Sequence, residues 1–335
     1  MKRYFLKRVC AALLVFLLLL TAGCSSRPAQ LHNEKVVSLT PSIGLTPSYR
    51  QEQAIPNSAN KLRHAASTDG YTPPAPVRTP SNTATSVAAR QAFVYDYENG
   101  LVFAQGGMTD ALYPASTTKL LTALVVLEHT ATDAVCTAGD ELSLVAANSS
   151  SAYLQKGKRY TVSQLLAGML LLSGCDASYT LAAHVGRILD PSATTASAAV
   201  NAFIKEMNAW AARNGMSHSH FKNPDGYHAS GHYSCMQDLL TLSILCRRNA
   251  TVMAIVGKTS ASGYTNTNQL LFANSGYYNA NCIGLKTGTT GPAGNCLLSA
   301  YDVGGRTVII GVFGVGTSAG RYSVTNYLYR NYVKG

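Results

Sequence analysis

An almost uninterrupted apolar run occupies residues 308–315, close to the carboxyl terminus. A run of this length that is rich in β-branched residues is typical of a strand covered on both faces. Two more strand patterns, 282–288 and 295–301, precede it, and Gly304-Gly305 provides a turn before the last strand. The carboxyl-terminal third is therefore predicted to form consecutive strands of one sheet.

The segments 92–95 and 101–104 flank a turn at Asn99-Gly100 and predict a β-hairpin. Helical patterns occupy the stretches 116–129, 162–172, 196–214 and 321–332. Strands at both ends with helices between them predict an α/β (α+β) fold, in which the two ends share one sheet.

The amino terminus has the pattern of an export signal. Four of the first eight residues are basic, and residues 9–22 form an apolar run without a charge. The run is shorter than the roughly 20 residues that a membrane-spanning helix needs, so a signal peptide over 1–23 is expected. The sequence Leu20-Thr21-Ala22-Gly23-Cys24 resembles a bacterial lipobox, in which Cys24 would carry the lipid; an ordinary cleavage site with an incidental cysteine is the alternative.

Residues 24–88 are rich in Ser, Thr, Asn, Gln and Pro and lack a sustained apolar period. Such a segment buries too little apolar surface to offset its ordering entropy. A disordered tether over 24–88 and one folded domain over 89–335 are expected, with the protein outside the cytoplasm and anchored to the cell membrane.

The net charge of +11 overstates how basic the domain is, because 17 basic and 13 acidic residues follow position 88. This balance suits an anionic wall polymer at least as well as nucleic acid, and export argues against a nucleic-acid partner. Six cysteines fall in the predicted domain, none as a close CxxC metal pair. Disulfides and buried free thiols both remain open.

Ser116 and Lys119 lie three residues apart at the start of an apolar helical stretch, which places them on one face of the helix. Serine is a weak nucleophile that needs an adjacent base, and a partly desolvated lysine can serve as that base. On its own, a serine and a lysine at this spacing occur at many solvent-exposed helix ends.

Two further motifs support the chemistry. Lys286-Thr287-Gly288-Thr289 places a lysine on an apolar strand, followed by a glycine that lets a substrate backbone approach the strand edge. Ser173-Gly174-Cys175 follows an apolar helix, and its serine could relay a proton to a leaving amine.

In this order the three motifs resemble those of the low-molecular-mass penicillin-binding D-alanyl-D-alanine carboxypeptidases, in the serine β-lactamase and D,D-peptidase superfamily. The resemblance spans roughly residues 90–332 and extends to Val94-Tyr95-Asp96, 221–226 and His232-Tyr233-Ser234. It implies a β-lactamase/transpeptidase-like fold, with an antiparallel sheet flanked by helices and a helical subdomain. It also implies an enzyme that removes the terminal D-alanine from peptidoglycan stem peptides ending in D-Ala-D-Ala, that is acylated by β-lactams, and that needs no cofactor or metal.

By the same resemblance, Ser116 is the acylated nucleophile, Lys119 its base and Ser173 a proton relay. Lys286 would hold the substrate carboxylate, with Thr287, Gly288, Thr289 and Cys175 also at the binding site. The backbone N–H groups of Ser116 and Thr289 would form the oxyanion hole.

Cys175 departs from the family pattern, which has asparagine at the third position of this motif. A thiol donates and accepts hydrogen bonds only weakly, so slower turnover with intact acylation is expected. A redox-sensitive thiol whose pKa is lowered by nearby lysines is the alternative.

Other functions compete with this interpretation. A class A β-lactamase is disfavoured because no E-x-x-L-N segment lies between Ser173 and Lys286. A D,D-endopeptidase with the same residues and a non-catalytic penicillin-binding wall sensor both remain open. A Ser-His-Asp triad built on His228, His232 and Asp225 lacks the G-x-S-x-G elbow, so these residues are left out of catalysis.

Overall fold

The computed structural model describes residues 86–333. Its nine strands are β1 (Gln91–Asp96), β2 (Gly100–Gln105), β3 (Val135–Thr137), β4 (Arg159–Thr161), β5 (Ser260–Ala261), β6 (Tyr264–Thr265), β7 (Cys282–Thr290), β8 (Gly294–Val303) and β9 (Arg306–Val315). Its seven α-helices are α1 (Thr118–His129), α2 (Val162–Leu170), α3 (Cys175–Leu189), α4 (Ala196–Arg213), α5 (Met236–Arg248), α6 (Ala250–Val256) and α7 (Ser318–Tyr332).

Five strands form one sheet in the order β2-β1-β9-β8-β7, and every neighbouring pair in it is antiparallel. The predicted sharing of one sheet by the two ends of the domain is confirmed, because β1 pairs with β9 along its whole length. The apolar run 308–315 is the central strand, which explains why both of its faces are hydrophobic. Phe93 lies opposite Gly311, where any side chain would collide with the phenylalanine ring.

The two faces of the sheet bury different cores. On one face, Tyr322, Leu328 and Tyr329 of α7 pack against sheet residues that include Val308 and Ile310. On the other face, the larger core unites the sheet with the helical region, where nine of the twelve residues of α1 are buried. This arrangement brings the amino-terminal end of α1 close to β7.

Several helix ends differ from the sequence-based bounds for local reasons. The stretch predicted from 116 begins with a 3-10 turn, Ala115–Thr117, before α1 starts at Thr118. The predicted start of α2 at Val162 is confirmed, and Thr161 and Gln164 form a reciprocal capping box there. Thr317 accepts a hydrogen bond from the Gly320 backbone N–H, so α7 starts at Ser318.

The six cysteines of the described residues are free and buried, which resolves the alternative left open by their spacing. The predicted signal peptide, Cys24 and all but the last three residues of the predicted tether lie outside the described residues. Within 86–333, no single helix has the length and apolar composition of a membrane span; the bent pair α5 and α6 meets that test only when joined.

Candidate active site

A cavity of about 360 Å³ opens where the amino-terminal end of α1 meets β7. Ser116 and Cys175 lie on its inner wall. Its lining is completed by two loop segments, Asn148 to Ser150 and Tyr227 with His228, and by the end of β7 with the turn after it, Thr289 to Pro292. The cavity is therefore built from parts of the chain that are far apart in sequence.

Tight backbone packing fixes Ser116. The preceding residue, Ala115, has a left-handed φ of 49°, which turns the chain sharply at the first residue of the 3-10 turn. A side chain on Gly226 would collide with the Ala115 carbonyl oxygen. A side chain on Gly288 would begin 3.0 Å from the Ser116 nitrogen, so the glycine lets β7 approach the nucleophile's backbone.

Lys119 makes three hydrogen-bond contacts through its side-chain nitrogen. The nitrogen lies 2.8 Å from Ser116 Oγ, 2.7 Å from the Asp225 backbone oxygen and 3.4 Å from Cys175 Sγ. The side chain is fully buried. The serine and lysine that the sequence places on one helix face are thus in direct contact.

Cys175 is the first residue of α3 and is 4% exposed. Burial raises the pKa of its thiol, and the Asp225 carboxylate raises it further, although Lys119 acts in the opposite direction. The raised pKa argues against the alternative of a thiol activated by nearby lysines, because desolvation outweighs their charge. Cys175 acts in this structure as a weak hydrogen-bonding partner of Lys119.

Ser173 also lies next to the cavity but is less directly placed. Its backbone is left-handed, with φ 69°, and the residue is 7% exposed. The Cys175 thiol lies 3.8 Å from its carbonyl oxygen. The expected proton-relay role of the Ser173 hydroxyl stays a prediction.

Lys286 lies on β7 and is 1% exposed. Its nitrogen donates a hydrogen bond of 3.2 Å to the Thr287 backbone oxygen. Burial holds the pKa of Lys286 well below its usual value, and the charge of Lys119 lowers it further. Thr287 contributes a hydroxyl pair with Thr267 at 2.6 Å. This lysine therefore lies behind the cavity wall.

Arg321 of α7 is a charged neighbour that the sequence did not single out. Its guanidinium donates to Thr289 Oγ1 at 3.0 Å, to Asn295 Oδ1 at 2.9 Å and to the Gly288 carbonyl oxygen at 3.0 Å. It is only 6% exposed, so it lies directly behind the threonine that lines the cavity. A helix-start arginine carries no sequence signal for this contact.

Asp176 anchors one wall of the cavity and was also missed. Its carboxylate accepts hydrogen bonds from the backbone N–H groups of Ala152 at 2.7 Å and Leu154 at 3.0 Å, and from Ser151 Oγ at 2.7 Å. The Cys175 N–H bonds to the Ser150 carbonyl oxygen at 2.8 Å. Residues 175 and 176 therefore fix the loop that presents Asn148 to Ser150.

The surroundings of His232 indicate a structural role. Its Nδ1 accepts from the Lys222 backbone N–H at 3.2 Å, so its Nε2–H faces Thr118 Oγ1 at 3.1 Å. Burial lowers the pKa of His232 to about 4, which favours the neutral ring. Ser116 has Lys119 as its partner in the described structure, in line with leaving the histidines out of catalysis.

Residues 77–317 match the family described as D-alanyl-D-alanine carboxypeptidase. The chain belongs to this family. The fold and the serine hydrolase class predicted from the three motifs are confirmed by that match.

The D-alanyl-D-alanine carboxypeptidase of Streptomyces sp. strain K15 is 34% identical over 264 residues, which cover 73% of this chain and 85% of that protein. The carboxypeptidases DacF of Bacillus subtilis and DacC of Escherichia coli are each 28% identical. Those matches cover 68% and 73% of this chain but only 58% and 61% of the relatives, so the chain spans about three fifths of their length.

Solved structures agree with this family. The Streptomyces K15 DD-transpeptidase matches with a TM-score of 0.67 and 31% identity, over 76% of this chain and all of that one. Penicillin-binding protein D2 of Listeria monocytogenes, solved in an ampicillin-bound form, has a TM-score of 0.61 and 30% identity, with 74% and 98% covered. Variants of the Streptomyces protein replace a serine and a cysteine two positions apart, the spacing of Ser173 and Cys175 here.

Proposed function

We propose that Ser116 attacks the peptide bond between the two terminal D-alanines of a peptidoglycan stem peptide. The observation that carries this proposal is the 2.8 Å contact between Ser116 Oγ and Lys119 Nζ at the inner wall of the cavity. Attack releases D-alanine and leaves an acyl group on Ser116, which water then removes. A β-lactam would acylate the same oxygen.

The three contacts of Lys119 match the needs of a general base. A neutral amine has two hydrogens and one lone pair. The Asp225 carbonyl oxygen and Cys175 Sγ can each take one hydrogen, which leaves the lone pair for the Ser116 O–H. The surrounding contacts therefore orient the nitrogen so that it can accept the serine proton during attack.

The substrate carboxylate needs a positive charge and a donor facing the cavity. The Thr289 hydroxyl lines the cavity, with the Arg321 guanidinium 3.0 Å behind it. Lys286, the residue expected to hold this carboxylate, uses its nitrogen on the Thr287 backbone oxygen. We assign carboxylate recognition to Thr289 backed by Arg321, with Lys286 contributing from the buried side of β7.

The backbone of β7 also supports the oxyanion hole. The close approach at Gly288 brings the strand against the Ser116 nitrogen. The N–H groups of Ser116 and Thr289 would point at the oxygen that becomes negative during attack. Donors held in place before reaction typically contribute several kcal/mol to such a step, on the order of 3 kcal/mol each.

Transfer to an amine is a second candidate fate of the acyl group. The relative that shares the serine-cysteine spacing is called a transpeptidase in its solved structures and a carboxypeptidase by its curated name. Cys175 lies on the cavity wall in the position where this chain departs from the usual asparagine. Its weak hydrogen bonding would slow the orientation of attacking water.

The remaining parts of the proposal concern location. A signal over residues 1–23 would direct export, Cys24 would carry a lipid, and 24–88 would tether the domain to the membrane outside the cytoplasm. The uncharged apolar run 9–22 and the lipobox-like 20–24 support this. Peptidoglycan stem peptides would then be within reach of the tethered domain.

The test combines a label with product analysis. The purified protein is treated with a fluorescent penicillin and its intact mass is recorded, and D-alanine release from a pentapeptide is then measured with and without an added D-amino acid acceptor. Labelling with D-alanine release establishes the peptidase, and a peptide product in which the acceptor has replaced the terminal D-alanine reveals transfer. Labelling without release would point to an endopeptidase or a sensor, and an unlabelled Ser116 would overturn the mechanism.

A further inference from the structure

Three side chains with metal-binding atoms meet at the amino-terminal end of α5. They are His218, Cys235 and Asp238, and one ligand atom from each lies within 4.8 Å of the other two. His218 comes from the loop after α4, whereas Cys235 and Asp238 belong to the start of α5. None of them is used by the catalytic proposal.

Asp238 has a carboxylate oxygen with no partner. Its Oδ2 accepts from the His218 backbone N–H at 2.8 Å and from Ser219 Oγ at 2.7 Å. Its Oδ1 is buried and has no hydrogen-bond donor, in a residue with no exposed surface. Burying such an atom unpaired is costly, so a partner for Oδ1 is expected.

The neighbours of Oδ1 do not satisfy it directly. His218 Nδ1 lies 3.9 Å away, too far for a hydrogen bond but close to the separation of two ligands on one ion. Tetrahedral zinc with bonds of roughly 2.0 to 2.3 Å separates its ligand atoms by about 3.3 to 3.8 Å. A shift of a few tenths of an ångström in the His218 ring would reach that distance, and this side chain is 46% exposed.

We propose that His218 Nδ1, Cys235 Sγ and Asp238 Oδ1 bind a divalent zinc-like cation, with a water molecule as the fourth ligand. Nitrogen, thiolate and carboxylate ligands together are the donor set that Zn²⁺ prefers. Binding exchanges the Cys235 thiol proton for the metal and releases it to solvent, with no change in oxidation state. Ser217 Oγ, 3.1 Å from Nδ1, gives up that contact to the ion.

The site would stabilise the two ends of the connecting segment 219–234, which contacts Lys119. This segment connects α4 to α5. Its first and last residues are in contact, because Ser219 Oγ lies 2.8 Å from Ser234 Oγ. Within the same segment, the Asp225 carbonyl oxygen accepts a hydrogen bond from the Lys119 side-chain nitrogen. The proposed ion binds residues that flank both ends of the segment 219–234. It would therefore stabilise the domain without taking part in acylation.

Cobalt serves as the probe. Co²⁺ added to the metal-free full chain should give one ion per chain and a thiolate-to-cobalt charge-transfer absorption. Cys235→Ser keeps a side chain that can cap α5 and should abolish that absorption. His218→Ala should weaken Zn²⁺ binding, measured by competition with a chromophoric chelator, by at least about 10- to 100-fold.

Matched controls come from the same segments. Cys246→Ala removes another buried cysteine of α5, and His220→Ala removes a histidine two residues from His218; both should retain the absorption. Zn²⁺ should raise the melting temperature of the parent and not that of His218→Ala, a half-exposed position that folding tolerates. Absence of the absorption in the parent, or its persistence in Cys235→Ser, would overturn the site.

Discussion

The side-chain nitrogen of Lys119 lies 2.7 Å from the backbone oxygen of Asp225, which is 106 positions away in the chain. The turn that carries this oxygen is itself held, because Asn223 Oδ1 accepts from the Gly226 N–H at 2.8 Å. The base that serves Ser116 is therefore oriented by a segment outside its own helix. The following predictions test how this arrangement works.

Ser116→Ala should abolish covalent labelling by penicillin, since within residues 86–333 Ser116 Oγ is the only hydroxyl that contacts the Lys119 nitrogen. Intact mass after incubation measures the adduct directly. Ser149→Ala, which removes another serine of the same cavity wall, should still be labelled. Labelling of the alanine variant at position 116 would place the nucleophile elsewhere.

Lys119→Ala should slow acylation by on the order of 10²- to 10⁴-fold, the usual contribution of a positioned base. Stopped-flow labelling gives the acylation rate. Lys258→Ala, at an exposed lysine outside the cavity, is the control and should leave the rate unchanged. Equal losses in both variants would remove Lys119 from the mechanism.

Cys175→Asn should leave peptide turnover unchanged or improve it, because an amide hydrogen-bonds more strongly than a thiol to Lys119. D-alanine release from a pentapeptide is the measurement, and the ratio of release to acceptor transfer should shift toward release. Complete loss of activity in this variant would contradict the proposed role of Cys175 as a weak hydrogen-bonding partner of Lys119.

The Cys175 thiol should react slowly with iodoacetamide at neutral pH, and faster as the pH rises. Burial raises its pKa, so the thiolate is scarce near pH 7, and the residue is only 4% exposed. Mass spectrometry of the alkylated peptide follows the rate, with unfolded protein as the reference. Rapid alkylation at pH 7 would instead indicate an activated thiol.

Asp176→Asn should lower the free energy of unfolding by about 2 kcal/mol, because several N–H and O–H donors of residues 151 to 154 lose a charged acceptor. It should also raise KM more than it lowers kcat, since the loop lines the cavity. Chemical denaturation and steady-state kinetics measure both. Asp110→Asn, at an exposed turn, should change neither.

His232 should make the protein less stable as the pH falls from about 6.5 to about 4. Burial lowers its pKa to about 4 from the usual 6.5, so the unfolded chain binds the proton first. Stability is complete above the unfolded value, and roughly 3 kcal/mol is lost by the time the folded value is reached. Denaturation series at several pH values should show a smaller slope for His232→Gln than for the parent protein.

The five strands of the main sheet and the Ser116–Lys119 pair could be predicted from sequence because their signals are local. The short strands β3 to β6 and the helices α3, α5 and α6 were not predicted. An apolar run marks β9, and a separation of three residues marks one helix face. That the two ends share one sheet was inferred only from the presence of strands at both ends, and the pairing of β1 with β9 was not predicted. Helix starts shifted by two or three residues, since capping by Thr317 and the turn at Ala115 depend on backbone geometry.

The supporting residues of the site could not be predicted. Arg321 meets Thr289 across 32 positions, and Asp176 binds a loop 22 to 25 residues earlier. Neither contact follows a helical or strand period, so both exist only after the domain has folded. The same holds for Asp225, whose backbone oxygen, and not its side chain, meets the lysine.

The central position of β9 affects the order of folding. The sheet order β2-β1-β9-β8-β7 leaves the first hairpin without its neighbour until residues 306–315 have been synthesised. Contacts this distant in sequence raise the contact order, which slows folding. Until then the apolar faces of β1 stay uncovered and available to chaperones or export factors. The sheet is completed only after β9 has emerged, and the cavity wall at β7 is completed with it.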